Sequence, residues 1–203
     1  MEKQKGQFIF SDRLWKACRM HAKHAKESTY PYEAEFANVS CLIVAPSIIE
    51  ALLNEFISYH CVIDQNMVNV KDFFAAMKGT EKLRIEERWN LLAAFFKGQS
   101  WDDGKEPFQS YQLIKTFRNE IVHYKGDWVP IGEAPFSKMK QFISRFVKEE
   151  PNSSLPFSYY SLVLKNKDLG GFIFERTKNF YDNVGKLINA EHYEFFQSLY
   201  LQG

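Results

Sequence analysis

Ten consecutive residues constrain this chain more than any others: Ile48-Ile49-Glu50-Ala51-Leu52-Leu53-Asn54-Glu55-Phe56-Ile57. Wound as a helix they are apolar on nearly every face, and such a helix is stable only when other elements cover it all round. The stretch therefore belongs at the centre of a core. It reads as the second half of a helix over about 33–60, which Pro46 is expected to kink or split near Ala45, because proline removes a donor and crowds the preceding turn. Ser47, Glu50 and Asn54 form a polar line along it at spacings of three and four. That line is either a hydrogen-bonded network in the core or support for a functional site. In both cases a buried carboxylate needs a partner.

Other segments repeat the helical period. Ser11 is placed to cap a first helix over 12–27, whose apolar stripe is Leu14, Trp15, Cys18, Ala22 and Ala25. Helices are expected over 70–77, 85–97, 108–125, 136–149, 157–165 and 172–188, with a short one ending near Tyr200. No internal repeat and no alternating run argues for a sheet, so the expected fold is all-α, a helical bundle in one domain over 1–203. Nineteen phenylalanines and 45% apolar residues exclude general disorder. Uninterrupted apolar runs such as Cys41 to Pro46 are far shorter than a membrane span, and the charged N-terminus lacks the apolar core of a secretory signal. Cys18, Cys41 and Cys61 are widely spaced and odd in number. Together these features predict a reduced, cytoplasmic protein with no membrane association.

The formal charge is only +1, but it is unevenly spread: the first 26 residues carry seven basic side chains against Glu2 and Asp12. Lys16, Arg19, Lys23 and Lys26 line one face of the first helix at spacings of three, four and three. The stripe is either a solvated surface or a track for a nucleic-acid backbone.

The reactive groups lie elsewhere, in Arg118-Asn119-Glu120-Ile121-Val122-His123-Tyr124, near the end of a segment that stops at Gly126. A guanidinium binds phosphate through a fixed fork of donors, and an imidazole moves protons near neutral pH. At about 100° per residue, Leu113, Ile114, Phe117, Ile121 and Tyr124 face the core, while Lys115, Asn119 and His123 lie opposite and Arg118 at the margin. Arg118 and His123 diverge by about 140° on a straight helix. Val122 lies between them, in line with Tyr111 about three turns earlier, and an apolar strip on a polar face suits a surface that meets another. His123 falls in the last turn, where carbonyl dipoles favour a cation. Cys18, His21 and His24 recur at spacings of three but lack a fourth zinc ligand, and Asp102-Asp103 reads as turn chemistry. No metal site or cofactor is expected. The aromatics of the C-terminal third read as packing.

Arginine, asparagine, aliphatic residues, histidine and an aromatic, on a helix that ends at glycine in an all-α chain, resemble the signature of the HEPN superfamily of small helical bundles. Ile49 to Phe56 is similar to the early core helix of such domains. The resemblance covers about residues 35–130; the first helix and an extension over about 151–203 lie outside it. It implies a metal-independent endoribonuclease working as a homodimer, both Arg–His motifs bordering one cleft. Arg118 and His123 would be catalytic, Asn119 supporting, and Glu50 and Asn54 secondary. The substrate would be single-stranded RNA, cut through attack of the ribose 2′-hydroxyl. In toxin–antitoxin members the usual companion is a separate antitoxin of nucleotidyltransferase fold. The alternatives are a domain that binds RNA or a nucleotide without turnover, and a helical dimer with no chemistry.

Overall fold

A computed structural model describes residues 9–63, 72–73, 76–77, 82–102, 104–123, 145–146 and 158–185. Among these residues the regular structure is entirely helical, as the periodicity demands. The helices are α1 (Ser11–Glu27), α2 (Pro31–Ile63), α3 (Ile85–Lys97), α4 (Phe108–Val122), α5 (Ser158–Leu164) and α6 (Leu169–Gly185). The helix expected over 70–77 is seen only at 72–73 and 76–77, and the one over 136–149 only at 145–146. The short helix ending near Tyr200 lies outside the described residues.

Pro46 does not split α2, which runs unbroken for 33 residues. Its neighbours explain why: Leu42, Ala45, Ile48 and Ile49 are all buried, so packing on both sides of the proline holds the helix together. One core cluster gathers Ile49, Leu52, Leu53, Phe56 and Ile57 of α2 with Trp89, Leu92, Phe108, Tyr111 and Phe180. A second gathers Cys41, Leu42, Ala45 and Ile48 with Cys18, Ala22, Ile114, Phe117, Leu169 and Ile173. α2 therefore runs through both, and α1, α4 and α6 cover it. By length and composition, Pro31–Ser58 is apolar enough to cross a membrane, which uninterrupted runs alone do not reveal. Half of its most apolar stretch is buried inside the fold, as in a core helix.

The polar line on α2 is the main departure from expectation. Ser47, Glu50 and Asn54 are exposed, and the buried carboxylate is Glu55. Two turns of apolar residues fix that α2 is central but not which of its few polar residues turns outward. Glu55 has a purpose at the start of α1. Ser11, expected as a capping side chain, is the first helical residue and Phe10 precedes it without a side-chain cap. Glu55 supplies the acceptors instead. Its Oε1 takes the backbone N–H groups of Phe10 at 2.6 Å and Ser11 at 2.8 Å, and its Oε2 takes the Ser11 hydroxyl. An anion at a helix N-terminus satisfies orphan donors and opposes the macrodipole, so one residue locks the first helix to the second.

Residues 158–185, beyond the expected limit of the bundle, are integral to the core. Asn38 of α2 is fully buried and donates to the Leu164 carbonyl at 2.6 Å and the Asn166 carbonyl at 2.8 Å, closing the turn between α5 and α6. There α6 meets α1 so closely that a Cβ on Gly170 would lie 3.0 Å from the Ala22 Cα. Phe172, Phe174 and Phe180 pack within the two clusters, as the packing reading of these aromatics expects.

Candidate functional site

α4 is pinned at its start and broken at its end. Glu106 accepts the Ser110 hydroxyl at 2.7 Å and pairs with Arg176 of α6 at 3.0 Å. The buried side chains are Phe108, Ser110, Tyr111, Ile114 and Phe117, with Leu113 and Ile121 partly covered. The core face is thus turned toward Tyr111, which is only 4% exposed. Tyr111 is therefore not available at a surface between two chains. Val122 is, at 43% exposure.

The helix ends at Val122, three residues earlier than the sequence indicates. His123 is the capping residue, with φ −108° and ψ 27°, and its N–H donates to the Asn119 carbonyl at 2.9 Å. The Arg118 Nη1 lies 3.5 Å from His123 Nε2, and Nη1 donates to Asn119 Oδ1 at 2.9 Å. The reach of the two side chains bridges the roughly 140° between their positions around the helix. Asn119 draws the guanidinium across the helix and His123 meets it from the other side. Arg118 and Asn119 are half-buried and His123 is exposed, so a ligand has access. In the neutral ring, an Nε2 that accepts from Arg118 carries a lone pair and leaves the proton on Nδ1. A phosphate at this point would meet one fixed cation and one group able to take or give a proton.

One turn earlier, α4 carries a second polar group that sequence reasoning left unassigned. Lys115 Nζ lies 2.6 Å from Glu86 Oε1 of α3, and Gln112 Nε2 donates to the same oxygen at 2.7 Å. Burial raises the Glu86 carboxyl. The hydrogen bond from Lys115, Glu86's own backbone N–H, the Lys115 charge and Gln112 together outweigh it and hold the group below the usual carboxylate range. Burial, then the charges of Glu86 and Glu50, push the Tyr111 phenol well above its ordinary value. The spacing of Gln112, Lys115, Asn119 and His123 by three, four and four marks one face in the sequence. Nothing in the sequence pairs Lys115 with Glu86.

The basic stripe is largely matched within the chain. Lys16 pairs with Asp12 at 3.3 Å, Lys23 with Glu27 at 3.8 Å and Lys26 with Asp168, while Arg19 is also engaged. Exposed pairs of this kind are weak and exchange readily for other anions. If the stripe follows an RNA backbone, replacing all four residues by Gln should flatten the salt dependence of binding, by close to one unit of slope per lost phosphate contact. A filter-binding titration that keeps its slope returns the stripe to a solvated face.

Cys18 and Cys41 are buried and unoxidised, the Cys41 thiol donating to the Cys18 carbonyl at 3.5 Å. The hydrogen bond between the two thiols, with burial, pushes Cys18 far above the normal thiol range, which suppresses the thiolate that metals and oxidants require. Among the described residues no three His, Cys, Asp or Glu side chains gather as a metal site needs. No family model, curated protein or solved structure matches this chain.

Proposed function

We propose that the chain is a metal-independent endoribonuclease of the HEPN type, acting on single-stranded RNA as a homodimer. The observation that carries this reading is the meeting of Arg118 and His123 at 3.5 Å, with Asn119 bonded to the same guanidinium nitrogen. When the phosphate takes the Arg118 guanidinium, Nε2 of neutral His123 is freed and takes the proton of the ribose 2′-hydroxyl. The freed oxygen bonds to the adjacent phosphorus, and Arg118 stabilises the charge that builds on the phosphoryl oxygens. The bond from phosphorus to the 5′-oxygen then breaks, and that oxygen receives a proton from the second chain's His123. The products are a 2′,3′-cyclic phosphate and a 5′-hydroxyl. Such an activity belongs in the cytoplasm, where a separate antitoxin of nucleotidyltransferase fold is the kind of protein that would restrain it.

The direct test is incubation of purified protein with single-stranded RNA in excess chelator, with the ends of the products identified. Cutting that leaves cyclic phosphate supports the reading. Binding without cutting across many sequences supports a binding module instead, and neither outcome leaves the pair a structural contact. DNA should resist, since it lacks the attacking hydroxyl.

The homodimer has its own test. Val122 is exposed beside His123, and a two-fold interface places the same patch of each chain near the axis. Val122→Asp should weaken association, read by light scattering across micromolar concentrations, with the melting temperature of the monomer unchanged. A wild-type protein that stays monomeric throughout that range rejects the dimer.

A further inference from the structure

We infer that Lys115 is a second phosphate-binding residue, contacting the phosphate next to the one being cut, and that Glu86 and Gln112 position it. The inference rests on the ribonuclease reading and adds a requirement to it: the substrate is a chain with at least two phosphodiesters rather than a single nucleotide.

The placement follows from the helix. Lys115 and Asn119 are one turn apart on the same face, and side chains so spaced have Cβ atoms roughly 5–6 Å apart. Arg118 is drawn onto that face by its bond to Asn119 Oδ1. A ribose–phosphate chain lying along α4 with one phosphate between Arg118 and His123 carries its neighbour toward Lys115. The ammonium can serve there because it is only partly engaged. Among the described residues its hydrogen bond goes to Glu86, which uses one of its three donors, and its side chain is 33% exposed. It also lies over the Tyr111 ring, 5.6 Å from the centroid.

Glu86 does not cancel the lysine. Its negative charge lies in the first turn of α3, where the helix dipole and its own backbone N–H share it, and Gln112 donates to the same oxygen as Lys115. Its other oxygen is buried with no hydrogen-bond partner among the described residues, so the carboxylate is committed to α4. The result is a lysine ordered before the ligand arrives, which removes part of the entropy that a free surface lysine would lose on binding.

The experiment is a cycle between lysine and phosphate. The substrate is an oligonucleotide of 2′-O-methyl residues with one ribose, so only one linkage is open to cutting. In matched versions, each phosphate flanking that linkage is replaced in turn by a neutral methylphosphonate. For wild-type protein, one of the two replacements should lower kcat/KM by roughly ten- to a hundredfold, the range for a hydrogen bond to a charged group. Lys115→Gln should lower kcat/KM on the unmodified substrate by a similar factor, and the same replacement should then add almost nothing. Lys115→Arg should keep most of the wild-type rate. Losses that multiply, so that lysine and phosphate act independently, overturn the inference in favour of a purely structural link between α3 and α4. So does the absence of any methylphosphonate effect in the wild-type protein. If the wild type does not cut even the unmodified oligonucleotide, the ribonuclease reading fails and this inference falls with it.

Discussion

Replacing His123 by alanine should lower the rate of RNA cleavage roughly a hundred- to ten-thousand-fold, the contribution of a positioned general acid–base, while leaving RNA affinity nearly intact. The asymmetry follows from the site. His123 is the exposed end of α4, and its ring meets Arg118 Nη1 at 3.5 Å, so its loss removes a proton carrier without opening the core. Arg118→Ala should behave differently. It should lose rate by roughly a hundred- to a thousandfold, as removal of one donor to a transition-state oxyanion does, and it should also weaken binding, because a guanidinium meets the phosphate in ground and transition states alike. Arg118→Lys keeps the charge without the fork and should recover affinity more than rate. Asn119→Ala tests the geometry itself, because Asn119 holds Nη1 across the helix at 2.9 Å; kcat should fall more than KM rises. A substrate with 2′-O-methyl at the cleaved position should bind and resist cutting. Single-turnover kinetics with chelator separate these outcomes. Equal losses of rate and affinity in His123→Ala would count against a proton-transfer role.

How much of this was legible in the sequence depends on which residues carried it. The all-α class was plain, because Ile48–Ile57 is apolar on nearly every face and no stretch alternates. Bounds within a few residues followed for α1, α3, α5 and α6, where the apolar period stops at a polar or glycine residue. Gly98, at φ 70°, ends α3 by donating to the Ala94 carbonyl at 2.9 Å. The candidate site residues could be named from the sequence, but the geometry in which the fold holds them could not. Around the helix Arg118 and His123 point apart, and only the conformations of their side chains bring the two ends together. Cap conformation depends on one pair of torsions that no periodicity reports. The partners of buried charges were hidden for a related reason. Glu55 reaches the start of α1 across 44 residues and Glu86 reaches Lys115 across 29. Spacing along one helix says nothing of which neighbour a carboxylate meets. Glu50 and Asn54 looked suited to such roles and instead face outward.

The second large effect concerns stability, and it lies far from the reactive residues in sequence. Phe180→Ala should destabilise the protein by about 4 kcal/mol, the range for deleting a buried phenyl ring and leaving a cavity. Phe180 is 1% exposed, and four aromatic rings surround it: Trp89 at 5.5 Å, Phe108 at 5.6 Å, and Trp101 and Tyr111 at 5.7 Å between centroids. Most of these contacts are tilted or edge-on, the arrangement that places ring edges against ring faces, and each is worth about 0.5–1.5 kcal/mol beyond the area buried. Rings of this size held from α3, α4 and the loop between them cannot all move inward to fill the space, because each is fixed by its own neighbours in a close-packed interior. Phe180→Leu, which keeps much of the volume and loses the ring contacts, should cost less than the alanine change but still about 2 kcal/mol or more. Urea denaturation would measure both, with the midpoint falling and the slope unchanged if the native state stays compact. Because Phe108 and Tyr111 begin the helix that ends in Arg118 and His123, the alanine variant should also lose activity at temperatures where it is still folded. A variant with wild-type stability would show that α6 rests on the outside of the bundle rather than within its core.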